Sequence, residues 1–246
     1  MRRLSWQFGF GASLVAVSLV LYLLHYLIFG NPQHIFLWSL TSLAFLPISV
    51  LFVTLLINRL MRDREKRLRM EKLNMVIGAF FSEVGIHLLV SFSNWDPNLE
   101  DIRRQLVVGS EWSDEDFDLC AKRLRRYSYQ VDAKKAHLES LGTFLRSKRD
   151  FLLRLLENPN LLEHEAFTAL LRAVFHLTEE LDYRGEFGQL PEPDKEHLAG
   201  DMRRAYVMLV QRWLDYMEYM KKNYPFLFSL AVRTNPFDAE ASPIVT

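Results

Sequence analysis

An uncharged, apolar run near the start of the chain constrains its fold more than any other feature. No Asp, Glu, Lys or Arg occurs from Leu4 to Asn58, and Gly30-Asn31-Pro32-Gln33-His34 interrupts the run near its middle. A helix of about 20 apolar residues is long enough to cross a bilayer. The run therefore predicts two membrane spans, residues 8–29 and 35–57, joined by a tight turn.

The charges that flank this run predict its orientation, because basic side chains near a span stay on the cytoplasmic side. Arg2 and Arg3 precede the first span, and a basic collar follows the second. The collar comprises Arg59, Arg62, Arg64, Lys66, Arg67, Arg69 and Lys72. We therefore expect an integral protein of the bacterial inner membrane with both termini in the cytoplasm, and a collar that faces anionic lipid headgroups. A cleaved signal peptide is the alternative for the first span, but its apolar stretch is shorter, about 7 to 15 residues.

Composition beyond the collar limits the kinds of partner and site. Residues 73–246 contain 21 basic and 27 acidic side chains, which argues against nucleic acid as a partner. Cys120 is the sole cysteine, so a disulfide framework and a cysteine-rich metal site are both excluded. We expect it to be a small buried thiol.

Helical spacing of apolar residues continues through the rest of the chain. The predicted fold class is all-α, with an N-terminal two-helix transmembrane hairpin (1–58), a basic juxtamembrane helical stalk (59–77), a cytoplasmic domain of five or six helices (78–222) and an apolar C-terminal tail (223–246). Within the domain, capping signals predict five helices. The first begins at Asp96-Pro97 and the last at Pro193. The three between them run from Ser113 to about Tyr127 or Ser128, from Asp132 to Glu157 and from Glu163 to Leu181.

Small residues and a proline indicate how the helices pack. Gly78, Ser82 and Gly85 form a helix-packing seam, either inside the domain or between two copies of the chain in a homo-oligomer. Pro47 lies inside the second span and predicts a helix kink. Hydroxyl side chains nearby are candidates to bond the carbonyl that the proline leaves free.

The tail is too apolar for a disordered terminus and too short to span a membrane. It is expected to dock on the domain, with the membrane surface and a partner protein as alternatives. Residues 226–232 are the best strand candidate in the chain, and Asn235-Pro236-Phe237 resembles a short peptide-recognition motif.

The sequence contains no specific catalytic, cofactor or metal signature. Phosphate-binding glycine loops, nucleophile elbows and paired metal-ligand motifs are all absent from it. The nearest approaches are histidines spaced one helical turn from carboxylates, which suit a metal pair, a proton relay or a simple surface hydrogen bond. They are Glu83 with His87, His176 with Glu179 and Glu180, and Asp194 with His197.

These observations favour a membrane-anchored helical module for interaction, signalling or scaffolding, with a cytoplasmic protein partner and no cofactor. An oligomeric membrane assembly that moves ions or transmits a signal is the alternative. An enzyme that uses one of the histidine–carboxylate pairs is a third hypothesis.

Overall fold

The computed structural model describes residues 2–162 and 164–244, with side chains from residue 13 onward except those of residues 67, 69, 101, 160 and 162. Its helices are α1 (Arg2–Phe29), α2 (Pro32–Phe80), a π-helical turn (Phe81–Gly85), α3 (Ile86–Asn94), α4 (Leu99–Leu106), α5 (Asp114–Leu124), α6 (Leu138–Leu156), α7 (Pro159–Leu162), α8 (Glu165–Asp182), α9 (Glu192–Asn223) and α10 (Pro225–Arg233). The described residues contain no strand, which confirms the all-α class. Residues 226–232 belong to α10, so the strand candidate was wrong.

The chain divides into two compact units, residues 1–66 and 67–246. In the first unit, α1 ends at a turn for which glycine is required, because Gly30 has φ +61°. The Gly30 N–H donates to the Tyr26 carbonyl over 2.9 Å, and Asn31 Oδ1 accepts from the His34 N–H over 3.3 Å. The predicted break in the apolar run is therefore a real interruption between two helices.

Apolar side chains of the first unit are exposed. Leu21, Phe36 and Leu51, for example, are 62%, 69% and 60% exposed. Among the residues whose side chains the structure describes, one helical run, Pro32–Asn94, contains a stretch long and apolar enough to cross a membrane, and no residue of that stretch is buried. The described side chains of α1 form a shorter apolar helix, Ser13–Phe29. One candidate span is thus supported, and the two-span hairpin stays a prediction.

Helix α2 passes through Pro47 without a break. Two hydroxyls in this region donate to carbonyls one turn before them: Thr41 to Leu37 over 2.9 Å and Ser49 to Phe45 over 3.2 Å. Proline lacks the N–H that would bond the carbonyl of Leu43. These two hydroxyls therefore serve other carbonyls than the one that Pro47 leaves free.

The second unit is built around α8 and α9. Helix α8 packs against α6, α7 and α9, and α9 packs also against α3, α5 and α10. Aromatic rings join these layers: the rings of Phe80 and Phe167 meet edge to face at 5.3 Å, and those of Phe92 and Tyr206 at 6.1 Å. One apolar core therefore extends over elements from the end of α2 to the tail.

Capping signals located some helix ends and misplaced others. The Ser113 start is confirmed, because Ser113 and Asp116 form a capping box, although α5 ends at Leu124 rather than near Tyr127. Asp96 is not an N-cap: α4 begins at Leu99, and the Asp96 carboxylate accepts bonds from the Asn98 N–H over 3.0 Å and the Tyr127 hydroxyl over 2.8 Å.

Two later helices also begin elsewhere than predicted. Helix α6 begins at Leu138, because Asp132 caps a turn instead and its N–H donates to the Trp95 carbonyl over 2.9 Å. Glu163 lies outside the described residues, and α8 begins at Glu165, where His164 Nδ1 accepts from the Phe167 N–H. Pro193 is inside α9, which begins one residue earlier.

The apolar tail docks on the helical domain. Phe228 of α10 is 4% exposed and Phe237 is 1% exposed, with its ring 5.1 Å from that of Trp213. Asn235 fixes the turn, because its side-chain amide donates to the Leu106 carbonyl over 2.8 Å and its oxygen accepts from the Phe237 N–H over 2.9 Å. The aromatic side chain of the Asn235-Pro236-Phe237 turn is therefore a core residue and not a free recognition motif.

Candidate functional site

Two histidines and two carboxylates converge where α8 packs on α9. His176 and Glu180 lie four residues apart on α8, and His197 and Asp201 lie four residues apart on α9. Residues at this spacing share one face of a helix. Because the two faces meet, the four side chains form one group, which we call the α8–α9 cluster.

Distances within the α8–α9 cluster are short. His197 Nε2 lies 3.4 Å from Asp201 Oδ2 and 3.7 Å from Glu180 Oε2. His176 Nε2 lies 3.6 Å from Asp201 Oδ2 and 3.8 Å from Glu180 Oε1. Potential ligand atoms of Glu180, His197 and Asp201 all lie within 4.8 Å of one another. Each imidazole therefore faces both carboxylates.

Asp201 is the buried member of the cluster. Its residue surface is only 3% exposed, and its Oδ1 accepts from the Arg204 guanidinium over 2.9 Å. Its Oδ2 is buried and accepts no hydrogen bond within the described part of the chain. That oxygen points to the two histidines, which are 47% and 54% exposed. Burial of a carboxylate oxygen without a hydrogen bond is costly.

Arg184 holds the loop between the two helices. Its guanidinium makes two 2.7 Å bonds to the Asp194 carboxylate, and it also donates to Glu180 Oε2 and to the Glu180 carbonyl, each over 2.6 Å. These bonds lower the pKa of both Glu180 and Asp194, so the two carboxylates stay ionised. Arg184 thereby fixes the position of the Glu180 side chain.

An open pocket of about 500 Å³ adjoins the cluster on the α9 side. His197 and Asp201 line it together with Arg125, Arg203 and Arg204. Solvent can therefore reach the cluster.

Some of the predicted histidine–carboxylate pairs have other partners. Glu83 pairs with Lys148 over 2.8 Å, and the His87 ring stacks on Phe144 at 3.8 Å. Partial burial lowers the pKa of His87. Asp194, which shares one helical turn with His197, binds Arg184 instead. Within the described part of the chain, the Glu179 side chain forms no ion pair with the cluster.

Asp201 was not among the predicted site residues, although its spacing of four residues from His197 was a usable signal. The proximity of His176 and His197 could not be predicted from spacing, because the two residues lie on different helices.

The predicted packing seam makes contacts within the chain. A β-carbon added to Gly78 would collide with the hydroxyl of Tyr216 on α9, and one added to Gly85 would collide with the Phe81 ring. Ser82 between them is exposed. Gly78 therefore lies at a contact between helices, whereas Gly85 accommodates a ring of its own helical segment. The contact between two copies of the chain stays a prediction.

The basic collar lies in α2, where the side chains of Arg59, Arg62, Arg64, Lys66 and Lys72 are exposed. Those of Arg67 and Arg69 lie outside the described residues, as do those of Arg2 and Arg3.

Comparison with known proteins relates both units to one family. The family described as "MJ1433, N-terminal helical domain" matches residues 2–61, and "Uncharacterized protein MJ1433, C-terminal helical domain" matches residues 69–233. An uncharacterized protein, MJ1433 of Methanocaldococcus jannaschii, is 44% identical over 225 residues, which are 92% of this chain and 90% of the relative. No solved structure matches. This chain belongs to the MJ1433 family.

Proposed function

We propose that this chain is a membrane-anchored helical interaction module. In this proposal α1 and the first part of α2 lie in a cytoplasmic membrane as a two-span hairpin, and the helical domain binds a protein partner in the cytoplasm. The observation that carries the proposal is a contrast in burial. Nearly all described apolar side chains from Leu14 to Met61 are exposed, whereas a buried apolar core begins at Leu73.

The exposed apolar segment, residues 14–61, is unfavourable in water. Apolar surface in water costs about 25 cal/mol per Å², and monomeric soluble proteins rarely expose contiguous apolar patches larger than a few hundred Å². A bilayer accepts helices of this kind, because their backbone groups are bonded internally. Lipid is therefore the cover that we propose, with anionic headgroups against the basic collar.

The proposed contact surface for the partner is the outer face of α10. Phe226, Leu227 and Leu230 are 72%, 41% and 46% exposed there, while Phe228 on the opposite face anchors the helix. Aromatic and aliphatic side chains on a firmly packed helix are typical of interaction surfaces.

The topology is tested by cysteine labelling of intact cells. In a Cys120→Ser parent, Gln33→Cys reports on the turn and Tyr183→Cys reports on the domain, where Tyr183 is 89% exposed. We expect a membrane-impermeant maleimide to label position 33 in intact cells and position 183 only after permeabilisation. Labelling of position 183 in intact cells would overturn the proposed orientation.

Partner binding is tested by affinity capture of the full chain from detergent extracts. We expect a protein retained by the wild type to be lost from the Phe226→Ser and Leu230→Ser double variant. Tyr183→Ser is the matched control, because it removes an exposed aromatic ring outside α10 and should keep the protein. Equal capture by all three chains would reject α10 as the contact surface.

A further inference from the structure

We propose that the α8–α9 cluster binds a divalent transition-metal ion, with Zn²⁺ as the ion to test first. The inference concerns the helical domain alone and does not depend on whether the chain is anchored in a membrane. It goes beyond the interaction function, because it assigns a ligand to residues inside the domain.

The first reason is the unsatisfied oxygen of Asp201. The carboxylate is almost fully buried, Arg204 bonds only its Oδ1, and Oδ2 accepts no hydrogen bond from the described residues. Buried polar atoms in native proteins nearly always have a partner, which can be an ion. Two imidazole nitrogens lie 3.6 and 3.4 Å from this oxygen, and imidazole is the commonest protein ligand of metals.

The second reason is the spacing between the donor atoms. The 3.4 and 3.6 Å from Asp201 Oδ2 to the two Nε2 atoms exceed the usual range of an N–H···O bond. Around a tetrahedral ion with metal–ligand bonds of about 2.0 Å, neighbouring ligand atoms are about 3.3 Å apart. The 3.4 and 3.6 Å distances are close to that value, and potential ligand atoms of Glu180, His197 and Asp201 lie within 4.8 Å of one another. These three residues are therefore the first candidate ligands, with His176 beside them.

The third reason is the identity of the donors and the groups behind them. Two imidazoles with carboxylates suit Zn²⁺ and other first-row ions, whereas Mg²⁺ and Ca²⁺ prefer oxygen ligands alone. Arg184 bonds Glu180 Oε2 over 2.6 Å and Arg204 bonds Asp201 Oδ1 over 2.9 Å. A guanidinium therefore holds one oxygen of each carboxylate. Asp201 Oδ2 and Glu180 Oε1 are left to face histidines, although His197 lies nearest to the Glu180 oxygen that Arg184 bonds. Hydrogen bonds from outer groups orient ligating carboxylates in this way.

The geometry also gives the ion a route in and a mechanical effect. The two histidines are about half exposed, and the pocket beside Asp201 is open to solvent. Because the ligands come from two helices, a bound ion joins α8 to α9 close to their connecting loop. Metal binding should therefore raise the stability of the folded domain.

An ion-pair cluster without metal is the competing explanation. Protonated His176 and His197 would then attract Glu180 and Asp201 directly, and the cluster would gain nothing from zinc. The two explanations differ in metal content and in the response of thermal stability to zinc.

The experiment uses the full chain in detergent, without a histidine tag, after dialysis against a chelator. Equilibrium dialysis with Zn²⁺ and elemental analysis should give about one ion per chain in the wild type. His176→Gln and His197→Gln should each weaken binding at least about tenfold, since removal of even an outer partner of a metal ligand has that effect. Zinc should raise the Tm of the wild type and leave that of the double variant unchanged.

His137→Gln is the matched control, because His137 is exposed at the start of α6 and its side chain makes no cap hydrogen bond. It should bind zinc as the wild type does. Circular dichroism checks that the two histidine variants, whose altered side chains are half-exposed, are folded. The Asp201→Asn variant changes a buried residue, so its zinc binding is interpreted only together with that of the histidine variants. Absence of saturable zinc binding in the wild type, or unchanged binding in the double variant, would overturn the inference.

Discussion

The thiol of Cys120 illustrates how burial sets chemistry at a single residue. Its Sγ lies 3.2 Å from the Gln105 carbonyl, and desolvation raises the pKa of the thiol from 9.0 to about 11. The thiolate is the reactive form of cysteine. Cys120 is therefore expected to be a structural residue with low reactivity.

Maleimide labelling checks this expectation. At pH 8, folded Cys120 should react about a hundredfold more slowly than an unperturbed cysteine, because the thiolate fraction falls tenfold for each unit of pKa. Tyr183→Cys in the Cys120→Ser parent supplies the exposed reference. Equal rates at positions 120 and 183 would contradict the burial argument.

The same pKa shift predicts a pH dependence of stability. The unfolded thiol loses its proton near pH 9 and the folded thiol near pH 11, so the folded state binds more protons between these values. This contribution therefore lowers the free energy of unfolding as pH rises from 9 to 11. A Cys120→Ser variant should show a smaller fall of Tm over this range, and an identical fall would contradict the assignment.

At the scale of elements, the π-helical turn joins α2 to the core. Within it, Phe81 stacks on Tyr216 of α9 at 5.6 Å, and Gly85 leaves room for the Phe81 ring. A β-carbon on residue 85 would lie 2.5 Å from Phe81 Cδ1 and 3.1 Å from Phe80 Cε1. Both rings are buried and have little space to move.

Gly85→Ala should therefore lower the free energy of unfolding by about 1 to 2 kcal/mol, because overpacking outweighs the gain in helix propensity. Gly200→Ala is the matched control, since Gly200 lies in α9 with no atom within 4 Å of the added carbon. It should raise stability by up to about 1 kcal/mol. Thermal or denaturant unfolding measures both changes, and the same sign for both would refute the packing argument.

The tail provides a second comparison between elements. Phe237→Ala should cost about 3 to 5 kcal/mol, because it removes a buried ring from the core beside Trp213. Phe226→Ala, in the same tail but 72% exposed, should change stability by less than about 0.5 kcal/mol. Similar losses in the two variants would mean that the tail does not dock as described.

Local patterns were predictable from the sequence, and long-range contacts were not. The helix break at Gly30 and the cap at Ser113 depend on residues within one turn of each other, so they could be predicted. The role of Asp96 depends on Tyr127, 31 residues away. The α8–α9 cluster likewise depends on how two helices pack, which apolar spacing alone does not specify.

At the scale of the whole molecule, insertion and surface attachment make different predictions. If the apolar segment is inserted, the chain should stay with membranes in alkaline carbonate and in 1 M salt. Attachment through the basic collar alone would be released by salt, because the Debye length is then only about 3 Å. Immunoblots of the pellet and supernatant measure the difference, and release by salt would reject insertion.

The position of Phe237 also has a consequence for biosynthesis. Protein chains emerge from the ribosome in order, and N-terminal segments generally fold first. Phe237 follows every helix of the domain in that order, yet the core between Trp213 and Leu106 is incomplete without the tail. A nascent chain that already contains both apolar helices therefore presents an unfinished hydrophobic core until residues 235–237 have been translated.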